Sequence, residues 1–332
     1  MRRRPIRAVA HKGESIAAPA ADFQAGIAHT RRVPPAELPD PPPWVADLPL
    51  KPGPPWLSMG VRPLDLSDWL VLDDRFDAEL ALKDQLLRDR HHEVFAAVPG
   101  TEAAGAEVLE LVGAWLATHA HPEPAGPDGS RQPSGGTRSG GQQELHPLDR
   151  AGRLVQEDLC LLGSADGHYV LEAASLCFPS HWVLAEKLGR SVAAIHAPVP
   201  HYSAELESRV DTFMARLRAD RPVMRRNLSI HSHDDLFRPD PHESPASFAP
   251  DVSGLDQVWL RSERQTLVRL PATGAVLFTI KTQQCPVRAL ARRPEVARAL
   301  AVKLRALEPE LAATGETVPF PPWLIPWLLD PT

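Results

Sequence analysis

Three short stretches concentrate the side chains that could do chemistry. The densest runs from Phe178 to Tyr202, FPSHWVLAEKLGRSVAAIHAPVPHY. In it an apolar segment delivers His196, and Pro198 and Pro200 then restrict the chain beyond it. An imidazole held this way can present one nitrogen along a fixed vector, which is what a metal ligand requires. The competing reading is a packed histidine satisfied by a backbone carbonyl. Trp182 and Tyr202 either line a pocket or simply pack.

The second stretch is Asn227–Asp235, NLSIHSHDD. On a strand, His231 and His233 would share a face and could meet one zinc or iron ion. Its polar surroundings favour a solvated loop instead. The third is Leu260–Leu267, LRSERQTL. Period-2 alternation puts Glu263 with Arg261 and turns Arg264 to the other side, among Val258, Leu260, Thr266 and Val268. A charge on an apolar face needs an anionic partner, supplied either by a protein carboxylate or by a ligand carboxylate or phosphate. Gln156-Glu157-Asp158 adds two acids before an apolar run and reads as the start of an element. Walker, GxGxxG, GxSxG and HExxH motifs are absent, so nucleotide and standard hydrolase chemistry have no foothold.

The elements that must position these residues are legible. Val108, Leu111, Val112, Trp115 and Leu116 form an amphipathic helical stripe, as do Leu206, Val210, Phe213, Met214 and Leu217 after a Ser203 cap. Val296 to Leu311 repeats the pattern behind Pro294, and Phe76–Val94 reads as one more helix. A short helix is expected over Trp182–Leu188, with Ser180 as cap and Gly189 as stop. Tyr169–Phe178 reads as a strand. Val258–Leu270 and Ala275–Lys281 read as a hairpin closed by Pro271–Gly274. Strands and helices do not alternate as βαβ units, so the expected class is α+β with an antiparallel sheet.

Composition frames the rest. The 332 residues include 36 prolines, ten of them between Pro34 and Pro55. Residues 1–55 therefore read as a disordered Pro-rich leader. Residues 121–147, rich in Gly, Pro and Ser, read as a flexible insertion. The domain is expected over 56–312, with a Pro/Trp-rich tail over 313–332. A net charge of −6 disfavours a nucleic-acid partner. No stretch approaches the roughly 18 apolar residues of a membrane span, and no secretory signal is recognisable. Three cysteines, Cys160, Cys177 and Cys285, form no disulfide framework and fit a cytoplasmic setting. They are also too few for a four-cysteine iron–sulfur cluster.

The His196 block, LRSERQTLVRLPATGAVLFTIKT, VQEDLCLL and MGVRPLDLSDWLVLDD together resemble the haem-dependent oxidative N-demethylase family, alpha-subunit-like, from about Met59 to Lys281. The resemblance implies a PAS-like antiparallel sheet flanked by helices and cupping haem b. It implies oxidative removal of a methyl group from a small, dimethylamine-like secondary amine with dioxygen, releasing formaldehyde. It also implies electrons from flavin (FMN) and iron–sulfur (2Fe-2S) reductase subunits. His196 matches the family's haem-iron ligand. His181 is the weaker alternative ligand, because many relatives carry arginine in its slot, and Arg264 matches a haem-propionate or pocket anchor. The alternative is a non-catalytic PAS-like module that binds haem or another small molecule, or a subunit that has lost its cofactor. The leader, the insertion and the HSHDD stretch depart from the family pattern.

Overall fold

The computed structural model describes residues 38–51, 60–119, 145–196, 204–240, 248–314 and 319–331. Pro39–Thr332 form one compact unit. Its centre is a sheet that is eight-stranded and antiparallel among the described residues: β1 (Arg62–Pro63), β2 (Phe95–Ala97), β3 (Asp158–Ala165), β4 (His168–Ser175), β5 (Val223–Arg226), β6 (Ser229–His231), β7 (Trp259–Arg269) and β8 (Val276–Pro286). The spatial order is β1-β5-β7-β8-β3-β4-β2, and β6 also pairs with β7. The helices are α1 (Phe76–Asp89), α2 (His91–Val94), α3 (Glu102–His119), α4 (Pro147–Gly152), α5 (Leu184–Lys187), α6 (Val192–His196), α7 (Ala204–Arg216), α8 (Pro294–Thr314) and α9 (Leu324–Leu329). The α+β class is as the sequence implies.

The longest pairing is the hairpin β7–β8, in register from Trp259 opposite Pro286 to Arg269 opposite Val276. Its turn closes with the amide of Leu270 donating to the carbonyl of Ala275 at 2.8 Å. Gly274 sits there at φ +76°, a conformation that costs any other residue a steric clash. The second strand continues beyond the expected Lys281 to Pro286. At the other end of β4 the strand stops at Ser175, short of the expected Phe178.

Alternation gives the sheet two faces. On the first, Cys160, Leu162, Leu171, Leu267, Val276 and Ile280 pack with Leu184, Val192, Met214 and Leu217 from the α5–α7 region. On the second, Leu159, Leu161, Val268 and Leu277 pack with Val108 and Val112 of α3, Leu148 and Ala151 of α4, and Trp69. Every one of these side chains is under a tenth exposed. At roughly 25 cal/mol per Å² of apolar area removed from water, such layers dominate the stability of the fold.

Several boundaries differ from expectation. Phe76–Val94 is broken at Arg90, whose φ and ψ of −133° and 34° leave the helical region. The short helix starts only at Leu184 and has no side-chain cap. Ser180 instead bridges Arg238, and His181 at φ 58° turns the chain before the helix can begin. Gly189, at φ +74°, does end the segment. Part of the expected leader packs: Val45 and Leu48 are buried beside Leu300 and Leu328. The expected tail packs too. Helix α8 runs past residue 312, and Phe320, Leu324, Ile325, Trp327 and Leu328 sit in the same cluster. Tryptophan and leucine at this density form a core rather than a solvated tail, which the prolines around them obscure. Of the insertion, 121–144 lie outside the described residues. Its end is ordered: the His146 side chain accepts from the Leu148 amide at the start of α4. Residues 1–37, 52–59 and Ser203 also lie outside the described residues.

Candidate functional site

The segment carrying both histidine candidates leaves β4 under tight control. Asp158, at the start of β3, accepts from the amides of Cys177 and Phe178 at 2.7 and 2.9 Å. Arg261 donates from Nη2 to the Phe178 carbonyl at 2.9 Å and to Thr282 Oγ1 at 3.3 Å. Both anchors are sealed inside the sheet. Burial pushes the Asp158 carboxyl up to about 6, against the opposing pull of Lys83, the two amides and Arg261.

His181 follows directly. Its amide donates to the Arg238 carbonyl at 2.7 Å, and Nδ1 donates to the carbonyl of Asp240 at 3.3 Å. Its ring lies over that of His231, with centroids 6.1 Å apart and planes 14° apart. His231 spends both ring nitrogens on protein. Arg238 donates to Nδ1, and Nε2 then donates to Ser229 Oγ at 2.7 Å. His233 pairs instead with Asp235 at 2.9 Å. The stretch is therefore not the solvated loop expected, because His231 is buried at the end of β6. Nor can His231 and His233 meet one ion, since no nitrogen of His231 is left to do so. Among the described residues, no group of three His, Cys, Asp or Glu side chains is arranged to hold a metal ion.

His196 ends α6. Ser191 Oγ accepts from the Ala194 amide at 3.1 Å and steadies the first turn. One turn on, the ring Nδ1 of His196 lies 2.7 Å from the Val192 carbonyl. A carbonyl only accepts, so Nδ1 carries the proton and Nε2 is the lone-pair nitrogen of the neutral ring. Burial lowers the pKa of His196, and so do the nearby Arg225 and Lys187 charges. The ring is thus held neutral. The residue as a whole is exposed. The carbonyl bond of the packed-histidine reading is present without the burial, and it fixes the tautomer a ligand needs. Ile195, beside it, packs into the first-face cluster, as does Trp182. Tyr202 lies outside the described residues.

Arg264 goes to the other side. Its register partners are Arg226 and Lys281. It donates from Nη1 to the Trp69 carbonyl at 2.8 Å and from Nη2 to the carbonyl of Asp68. The expected anionic partner is replaced by two carbonyls at the end of a 3-10 turn, Leu66–Asp68, which would otherwise lack donors. Glu157 contributes at longer range. Arg264 and Arg226 border a second-face cleft of about 1580 Å³ that also touches Trp44, Trp259 and Met224. The structure therefore does not bring Arg264 to His196.

The first face carries a different cation that composition did not single out. In β5, Val223 packs with the first-face cluster and Met224 with the second, so Arg225 points to the first face and Arg226 to the second. Arg225 sits opposite Gln265 and within the field of Glu263. The signal was present in the strand Val223-Met224-Arg225-Arg226: two consecutive arginines on a strand must face opposite ways. The second face has its own buried charges. Lys281 Nζ pairs with Glu79 and, at 3.3 Å, with Asp73. Gln156 Nε2 donates to Asp73 at 2.7 Å and Glu79 at 2.8 Å. Lys83 caps the carbonyls of Val155 and Glu157 at 2.8 and 2.5 Å. This network ties α1 to β3 and β8.

No described helix is long and apolar enough to cross a membrane. Residues 60–314 match a family described as haem-dependent oxidative N-demethylase, alpha subunit-like.

Proposed function

Because the chain belongs to the haem-dependent oxidative N-demethylase, alpha-subunit-like family, we propose that it binds haem b on the first sheet face, with His196 as the iron ligand. The observation that carries this reading is the Nδ1 contact of His196 with the Val192 carbonyl. A hydrogen bond from the remote nitrogen to a carbonyl fixes tautomer and orientation and raises ligand basicity. The residues of this face are of the types a porphyrin needs. Leu162, Leu171, Leu267 and Ile280 make it apolar beneath α5–α7. On the same face the buried Nε of Arg225 has no hydrogen-bond partner. His181 is the weaker candidate, since its backbone and ring are both tied to the 238–240 segment.

The proposed reaction is oxidative demethylation of a small secondary amine, dimethylamine-like, to primary amine and formaldehyde, with dioxygen as oxidant. Haem supplies the redox chemistry when bound, and the protein contributes the pocket, orientation and electrostatics. The strand path β5-β7-β8-β3-β4, with α5–α7 inserted between β4 and β5 on one face, supports the PAS-like reading. Electrons come from partner subunits carrying FMN and a 2Fe-2S cluster. In keeping with that, the three cysteines are buried and unbridged, and burial raises the pKa of all three, to about 12 for Cys177 and Cys285. Thiols held in that form are poor cluster ligands. They also suit a cytoplasmic setting. The proposed haem domain includes residues 38–51 and 319–331, which share a core with α8.

The test is spectroscopic and then chemical. Purified protein reconstituted with haemin gives a Soret band that His196→Ala loses and added imidazole restores, while His181→Ala keeps it. Dimethylamine with a surrogate reductase then yields formaldehyde. A full Soret band in His196→Ala overturns the ligand assignment. A haem-loaded protein that makes no formaldehyde points to the binding-module alternative.

A further inference from the structure

Among the described residues most buried charged groups have a partner; Arg226 and Arg261 each leave a buried Nε unpaired but are bonded through other guanidinium nitrogens. Lys281 has Glu79 and Asp73, and Lys83 has two carbonyls. Arg261 has Phe178 and Thr282. Arg269 donates to the carbonyls of Leu217 and Met214 and to the Tyr169 hydroxyl. Arg225 breaks the pattern. Among the described residues its guanidinium makes no hydrogen bond or ion pair, and its Nε is buried. The carboxylate whose field it feels, Glu263, is committed elsewhere. Glu263 Oε2 accepts from Asn227 Nδ2 at 2.9 Å and Gln265 Nε2 at 3.0 Å, and Oε1 faces Arg261 Nη2 at 3.8 Å.

A half-buried guanidinium with no counter-anion is a costly arrangement unless a ligand completes it. Its planar fork matches a carboxylate through two parallel hydrogen bonds. Arg225 and His196 belong to the same face and lie within electrostatic reach of each other. A rigid ligand with a metal at its centre and carboxylates on its rim would engage both.

We propose that Arg225, rather than Arg264, anchors a propionate carboxylate of the bound porphyrin. The assignment rests on the haem reading above. Arg264 is excluded by its side of the sheet and by the two carbonyls it already holds.

The full chain is titrated with haemin and with haemin dimethyl ester, whose carboxylates are capped, and binding is followed by absorbance. The wild type binds haemin at least about tenfold tighter than the ester, the size of effect expected of one charge-assisted pair. Arg225→Gln weakens haemin binding by a similar factor, leaves the ester unchanged and so abolishes the discrimination. Arg225→Lys recovers part of it, and Arg264→Gln retains all of it. Equal haemin binding by Arg225→Gln and wild type overturns the proposal. So does a wild type that does not distinguish acid from ester, a result that needs no variant to fold. A folded wild type that takes up neither porphyrin is a separate result: it removes the haem reading itself, and the Arg225 assignment with it.

Discussion

Lys281 and Glu79 form an ion pair closed off from solvent, with both side chains under 5% exposed, joining β8 to α1. Two ions taken out of water are costly, and their mutual attraction offsets that cost only while both are present. Glu79→Ala removes the buried counter-ion of Lys281 and leaves it only the partly exposed Asp73. The expected destabilisation is about 3–5 kcal/mol. Urea denaturation measures it, and the double variant Glu79→Leu/Lys281→Met recovers most of the loss. A single variant within about 0.5 kcal/mol of wild type, the range of ordinary surface changes, would show that the pair carries no weight.

Asp158 predicts a pH effect. Burial raises its folded pKa to about 6, above the ordinary unfolded value near 3.9. The folded state therefore binds more protons than the unfolded one between those values. The contribution of this group is greatest below about pH 4, falls as pH rises towards 6 and is constant above. Relative to Asp158→Asn, wild-type stability declines over that window by up to about 1.4 kcal/mol per pH unit. Denaturation of both proteins at pH 4.5, 5.5 and 7 measures the gap. A gap independent of pH contradicts the assignment.

Arg264 has a structural task on the second face. Arg264→Ala removes the donors to the Asp68 and Trp69 carbonyls and loosens the turn that holds Trp69 in the core. The expected cost is about 1–3 kcal/mol for the unpaired groups. Thermal unfolding should shift down while porphyrin affinity, measured below the transition, stays at wild-type level. Loss of porphyrin affinity in a fully folded variant would contradict this division of labour.

The C-terminal segment predicts a truncation phenotype. Deleting residues after Thr314 exposes the surface of α8 now covered by Phe320, Leu324, Ile325, Trp327 and Leu328. Each buried side chain of this size contributes roughly 1.5–3 kcal/mol, so the loss exceeds about 5 kcal/mol. The truncated chain should aggregate or unfold cooperatively at much lower urea. Unchanged stability would show that the segment is dispensable, as a tail would be.

The amino-acid order alone determined the local period of each element. Apolar spacing specified the helices around Val112, Phe213 and Leu300. Alternation and a glycine turn specified the β7–β8 hairpin and told that Arg264 faces away from Glu263. His196 stood out as a candidate because an apolar run and two prolines flank it, all within a few residues. The family resemblance was legible for the same reason, since its motifs are contiguous. What only the tertiary structure decided depends on contacts between residues far apart in the chain. Arg264 meets carbonyls 195 and 196 residues away. Lys281 meets an acid 202 residues away. Residues 319–331 became core because α8 presents an apolar side that they cover. Arg225 drew no attention in a list of 36 basic residues. It became informative only once β5 was paired, its neighbours were turned to their faces, and Glu263 was seen to be bonded to other groups.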